Sequence, residues 1–167
     1  MLSTDRVVHE LYDTDEVRDA VIDRFGEAVA PHGVIDRGAL AQLAFASPDE
    51  RSWLEGLLWP QVGARMGDWR ERLEQASPLP RAAVVEVPLL FESGMEGAFD
   101  ATIAVIAGEQ LRAERAGARG HEALAERGAR QLSQQEKAQR ATYAVVNDGS
   151  VEELEAKLSA ILEMLMR

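Results

Sequence analysis

Cysteine is absent from this chain of 167 residues, which excludes disulfides, thiolate zinc sites and thiol nucleophiles and fits a reducing compartment. Lysine is nearly absent: only Lys137 and Lys157 occur, and neither follows a glycine. No apolar run approaches the roughly 18 residues that a membrane span needs, and no basic region followed by an apolar stretch opens the chain. Positive charge is scarce, with 18 Lys and Arg against 29 Asp and Glu and a formal net charge of -11. An acidic surface repels phosphates at long range, which argues against broad binding to nucleic acid or anionic membrane, so a phosphate site has to be a local cluster of arginines. What is present, 46% hydrophobic residues without repeats or low-complexity tracts, suits one domain over residues 1–167, expected to be soluble and cytoplasmic. Oligomeric state is not legible.

Periodicity sets out the elements. Met1 to Asp5 read as the last residues of a strand, followed directly by Val7, Val8 and Leu11. Thr14 is a candidate N-cap for a helix carrying Val17, Val21, Ile22, Phe25 and Val29 at helical spacing. Pro31-His32-Gly33 breaks that helix, and Asp36 caps a short one with Leu40 and Leu43. Ser47-Pro48-Asp49-Glu50 combines an N-cap serine, a first-turn proline and a glutamate able to close a capping box, and so opens a long helix that Pro60 is expected to kink. Apolar runs at residues 82–90, 101–107 and 143–146 predict three buried strands, with helical sequence between the last two. Ser150 and Glu153 make another capping box before an amphipathic helix through Leu154, Leu158, Ile161, Leu162 and Leu165. Strands alternating with helices imply a parallel sheet. Residues of about 36–78 form an all-helical insertion, a natural cap over the ligand edge of such a sheet.

Individual candidates carry two readings each. Asp5, at a strand-to-helix transition, is either a general base or a helix cap. Glu92, after Leu90-Phe91, either holds substrate or magnesium-bound water or is a solvated strand end. Arg112, Arg115 and Arg119 recur at three- and four-residue intervals, so a helix would place them on one face able to clamp polyphosphate, or to pair with Glu109, Glu114 and Glu122. His9, His32 and His121 lack metal-ligand spacing, and no metal site is assigned.

Taken in order, the Asp5-Arg6-Val7-Val8-His9-Glu10-Leu11 turn, the helix start at Asp36-Arg37, Leu57-Leu58-Trp59-Pro60, Glu86-Val87-Pro88-Leu89-Leu90-Phe91-Glu92, Gln110 with Arg115 and Arg119, Arg127 spaced from Gln131, Glu136-Lys137 and Val145-Val146-Asn147-Asp148-Gly149 resemble the dephospho-CoA kinases. The resemblance implies a three-layer α/β fold of P-loop kinase type with a helical insertion and a lid region at about 110–131. It implies transfer of the ATP γ-phosphate, with Mg²⁺, to the 3′-hydroxyl of dephospho-CoA, the last step of coenzyme A synthesis. Asp5 then matches the base or hydroxyl-orienting carboxylate, and Arg115 and Arg119 match lid arginines. Asn147 matches the residue near the adenine of ATP. Pro88, Leu89 and Glu92 match the substrate-side strand end, and Arg37 an arginine of the CoA-facing helices.

The chain departs from the family pattern where Ser3 replaces a first Asp, Glu86 replaces Asp, Trp59 replaces His and Thr142 replaces Asp. The larger departure is the lack of any G-x-x-x-x-G-K-[ST] segment, whose backbone N–H groups, Lys and hydroxyl would cradle phosphates and Mg²⁺. The expectation is therefore a sheet whose first, central strand is missing and a chain that is an N-terminally truncated kinase. The alternative is a catalytically inactive CoA- or nucleotide-binding remnant.

Overall fold

The computed structural model describes residues 1–117 and 131–166. They group into two compact units, one running from Met1 to Pro88 and one beginning at Leu89.

In the first unit, β1 (Leu2–Ser3) passes without a loop into α1 (Thr4–Tyr12) and pairs in parallel with β2 (Val85–Glu86), Leu2 opposite Val85 and Ser3 opposite Glu86. The junction is fixed by Thr4, whose buried hydroxyl donates to the Glu86 carbonyl at 3.1 Å. Helices α2 (Asp15–Phe25), α3 (Arg37–Ala44) and α4 (Pro48–Glu74) complete the unit. Residues spaced by four positions bury one stripe of each helix: Val7 and Leu11, Val17 and Val21, Leu40 and Ala44, and Leu54, Leu58 and Val62. At about 1.5–3 kcal/mol for each large aliphatic side chain taken out of water, this core outweighs the ion pairs on the unit's surface, which contribute about 0–1 kcal/mol each.

The caps act as the sequence predicts in some places and differently in others. The Asp36 carboxylate accepts from the N–H groups of Gly38 and Ala39 at 2.8 and 3.0 Å, and the Ser47 hydroxyl accepts from the Glu50 N–H at 3.1 Å. Glu50 does not close the capping box; its carboxylate instead takes two hydrogen bonds from Arg24, at 2.8 and 2.9 Å. Thr14 stands at the N-cap of α2, yet its hydroxyl donates backwards to the Leu11 carbonyl, leaving the first turn to the charges of Asp15 and Glu16. Helix α2 ends at Gly26, whose φ of 85° lies in the left-handed region, so Val29 falls in a separate 3-10 turn while remaining fully buried. Helix α4 runs as one element through Pro60.

The strand expected over residues 82–90 is much shorter, with ladder pairing confined to Val85 and Glu86. Pro88 has no N–H to give a ladder. The chain then turns, with the Ser93 N–H donating to the Leu89 carbonyl and the Met95 N–H to the Leu90 carbonyl.

The second unit contains β3 (Ile103–Ile106), α5 (Glu109–Gly117), α6 (Gln134–Arg140), β4 (Tyr143–Val146) and α7 (Val151–Leu165). β3 and β4 pair in parallel over four residues, from Ile103 opposite Tyr143 to Ile106 opposite Val146. The α/β class with parallel strands therefore holds, while the described strands form two separate two-stranded ladders. At the entry to the β3–β4 ladder, Thr102 and Thr142 each donate a backbone N–H to the other's hydroxyl oxygen at 3.0 Å. Among the described residues no helix is long and apolar enough to cross a membrane.

Candidate active site

Because Ile106 and Val146 are register partners, β3 and β4 end at one edge, and the two chains leave it as Ala107-Gly108 and Asn147-Asp148. The Asn147 N–H extends the ladder by one bond to the Ile106 carbonyl at 2.7 Å. The Asp148 carboxylate then accepts the Gly108 N–H at 2.8 Å, tying the second loop to the first. Helix α5 begins one residue later and carries Arg115 back to this edge, where its Nη1 donates to the Asn147 carbonyl at 2.7 Å. Lys157, from α7, donates to the Val146 carbonyl at 2.8 Å.

The other clamp comes from α6. The side-chain amide of Gln134 accepts the Ala107 N–H through Oε1 and donates to the Ala107 carbonyl through Nε2, both at 2.9 Å. One side-chain amide thereby satisfies both backbone groups of the residue that follows β3. Helix α6 is itself started by a reciprocal capping box between Ser133 and Glu136.

Below α6 lies a charged cluster built on the turn after Pro88. Glu92 accepts from Lys137 Nζ at 2.9 Å and from the Leu132 N–H at 3.0 Å. Burial pushes its carboxyl upward, but the Lys137 ammonium and the backbone N–H donors outweigh that and hold it below the ordinary carboxylate range. One turn along, Arg140 pairs with Glu96 and lies over the Phe91 ring, 5.2 Å from its centroid. Glu92, drawn from the sequence as a substrate-side residue, thus has one carboxylate oxygen engaged within the protein and the other, Oε2, buried without a partner.

The remaining sequence candidates lie in the first unit or at its boundary. Asp5 is exposed in the first turn of α1. Arg37 is exposed at the first position of α3, and its charge offsets part of the upward push that burial gives the Tyr12 phenol. Pro88 and Leu89 are exposed. Arg119 and Arg127, and most of the lid region at about 110–131, lie outside the described residues.

Residues 1–153 match the family model for dephospho-CoA kinase. The chain belongs to the dephospho-CoA kinase family. A dephospho-CoA kinase of Deinococcus radiodurans is 42% identical over 142 residues, covering 82% of this chain and 67% of the relative. One from Thermus thermophilus is 39% identical, covering 84% and 68%. A crystal structure from Thermus thermophilus superposes with a TM-score of 0.77 at 33% identity, covering 98% of this chain and 83% of that one. The dephospho-CoA kinase of Campylobacter jejuni, at 22% identity and a TM-score of 0.66, shares the fold.

Within this family frame, the structure brings together Arg115 and Asn147, two residues that the sequence assigned separately to the nucleotide side. It also adds residues that sequence reasoning passed over. Gln134 gave no periodic or charge signal, although Ser133-Gln134-Gln135-Glu136 is a capping-box pattern that would have located the start of α6. Lys137 entered only as part of a motif match, and its partner Glu92 is 45 positions away, beyond the reach of any local pattern.

Proposed function

We propose that this chain acts in the transfer of the ATP γ-phosphate to the 3′-hydroxyl of dephospho-CoA, with the β3–β4 edge facing the nucleotide. The observation that carries the reading is the Arg115 to Asn147 contact at the C-terminal edge of a parallel strand pair, where α/β folds hold ligands, in a chain matched to the family over residues 1–153. Asn147 borders the adenine. Arg115, with Arg119, supplies the charge that a phosphoryl group in flight requires, through bidentate guanidinium donors. Arg37, Pro88, Leu89 and Glu92 serve the acceptor side, Glu92 by holding the turn after Pro88 in place through Lys137.

In the reaction, the 3′-oxygen forms a bond to the γ-phosphorus while the bond from that phosphorus to the β,γ-bridging oxygen breaks, releasing ADP. The hydroxyl proton passes to Asp5, whose position at the start of α1 leaves its carboxylate open to solvent. Among the described residues no cluster of three or more His, Cys, Asp or Glu side chains is placed to hold a metal ion, and Ser3 stands where the family pattern has a carboxylate. In this reading Mg²⁺ accompanies ATP as part of the co-substrate. The finer reading of the fold, a P-loop kinase sheet lacking its first strand, rests on the missing phosphate-loop motif. We place the reaction in the cytoplasm, in keeping with a cysteine-free sequence.

Calorimetric titration of the folded chain with dephospho-CoA and with Mg·ATP tests the proposal. Weak binding of each is expected, and no heat from either ligand at millimolar concentration would overturn it.

A further inference from the structure

We propose that Gln134 is a positioning residue of the nucleotide edge: its side-chain amide, paired with both backbone groups of Ala107, fixes the path from β3 into α5 and so sets where Arg115 meets Asn147. The inference rests on the nucleotide reading of the β3–β4 edge given above.

The geometry is specific. A strand that leaves its ladder exposes one N–H and one carbonyl, and both must find partners if the chain is to leave in one direction. At Ala107 both are met by one side chain, at 2.9 Å each, so that a single primary amide closes a two-bond ring with one residue's backbone. The next residue, Gly108, donates to Asp148 at 2.8 Å, and its carbonyl accepts the Arg112 N–H at 3.0 Å, so the first turn of α5 grows directly from the clamped residue. Arg115 lies one turn further along and reaches the Asn147 carbonyl at 2.7 Å. The base of α6 is fixed independently by the Ser133–Glu136 capping box and by Glu92, which takes the Leu132 N–H and Lys137. Gln134 therefore transmits the position of a helix anchored at its own start to the loop that holds the nucleotide-side arginine. It touches neither substrate in this scheme.

The test uses the full chain, labelled for ¹H–¹⁵N NMR. Amide exchange of Ala107 and Gly108 is followed without ligand, and Mg·ATP is then titrated to about 10 mM, a range suited to weak binding. In Gln134→Leu the Ala107 amide should exchange at least about tenfold faster, and ATP affinity should fall about tenfold, the loss expected from two hydrogen bonds. A purely structural role would lower the urea midpoint yet leave the affinity of the folded fraction unchanged. A second variant keeps the shape: in Gln134→Glu the neutral carboxyl can donate and accept as the amide does, whereas the carboxylate faces the Ala107 carbonyl with no proton to give. Relative to the unaltered chain at each pH, which accounts for Asp148 on the Gly108 N–H, Arg115 on the Asn147 carbonyl and Glu136 and Lys137 on α6, ATP affinity of this variant should be depressed at pH 8 and recover as pH falls toward the ordinary glutamate value of about 4.3. Unchanged Ala107 exchange or unchanged ATP affinity in Gln134→Leu would overturn the role of Gln134 alone. An unaltered chain whose Gly108 and Asn147 signals do not respond to ATP would overturn the nucleotide reading and this inference with it.

Discussion

Arg115 and Asn147, 32 positions apart, are joined by a 2.7 Å hydrogen bond from the guanidinium Nη1 to the backbone carbonyl. The bond goes to the main chain, so it depends on where Asn147 sits and not on its side chain. It parks the guanidinium at the edge of the strand pair, where among the described residues it takes no second hydrogen-bond acceptor, so N–H donors are left for an anionic ligand. Asn147 is held in turn by the Ile106 carbonyl, which makes the ladder the reference for the arginine's position.

Arg115→Lys should therefore weaken Mg·ATP binding although charge is retained. A lysine ammonium is a single point of donation on a shorter reach and cannot span the Asn147 carbonyl and a phosphate together. A loss of about tenfold is expected, since charge-assisted hydrogen bonds contribute about 1.5–3 kcal/mol. Titration calorimetry reads this directly, and equal affinity in the lysine variant would refute a two-point role.

Glu92 and Lys137 should govern the acid stability of the second unit. Their side chains are 16% and 21% exposed, low enough for the pairing to matter despite solvent. The folded carboxyl titrates below its ordinary value of 4.5, because Lys137 and the backbone donors outweigh the opposing push of burial. Its contribution is present above that ordinary value and is lost as pH falls through the lower folded one. Glu92→Gln should thus destabilise by on the order of 1–3 kcal/mol at pH 7, with a flatter dependence of the urea midpoint on pH below about 5. Parallel pH curves for the two proteins would remove the carboxylate from this account.

Ser47→Ala should lower the stability of the first unit by about 1 kcal/mol, the usual loss of an N-cap hydroxyl. The Ser47 hydroxyl accepts the Glu50 N–H, and Glu50's own carboxylate is turned to Arg24 instead of back to the cap, so nothing replaces the lost acceptor. Urea denaturation monitored at the tryptophans suits the measurement, and an unchanged midpoint would show water filling the role.

Much of this was legible in sequence because the signals were local. Asp36, Ser47 and Ser150 announced helix starts through side chains that bond within three residues, and the strand at 143–146 was bounded by Asn147-Asp148-Gly149. The failures are equally physical. Residues 82–90 read as one strand by apolarity alone, but a ladder requires N–H donors and a partner of matching length, and β1 offers two residues. Glu50 looked like half of a capping box because the distant Arg24, which claims it, leaves no trace in the local pattern. The same limit hid Gln134, whose partner is 27 positions away, and the Glu92–Lys137 pair.

Phosphoryl transfer is mostly positioning and neutralisation of charge, work that in P-loop enzymes falls to a glycine-rich loop with its lysine and hydroxyl. This chain has no such motif, and its two lysines are already engaged, Lys137 with Glu92 and Lys157 with the Val146 carbonyl. In a coupled assay for ADP release with dephospho-CoA, the chain alone should therefore run well below the roughly 1–100 per second of ordinary kinases. Joining a strand and a G-x-x-x-x-G-K-[ST] loop ahead of Met1 should raise the rate by orders of magnitude, because it supplies the charge stabilisation that the arginines alone cannot. In that extended protein, Asp5→Asn should remove most of the activity with no change in the urea midpoint, since an amide of the same shape cannot take the hydroxyl proton. Ordinary rates from the unextended chain would show that another segment cradles the phosphates. Full activity after Asp5→Asn would reduce Asp5 to a carboxylate that merely favours the start of α1.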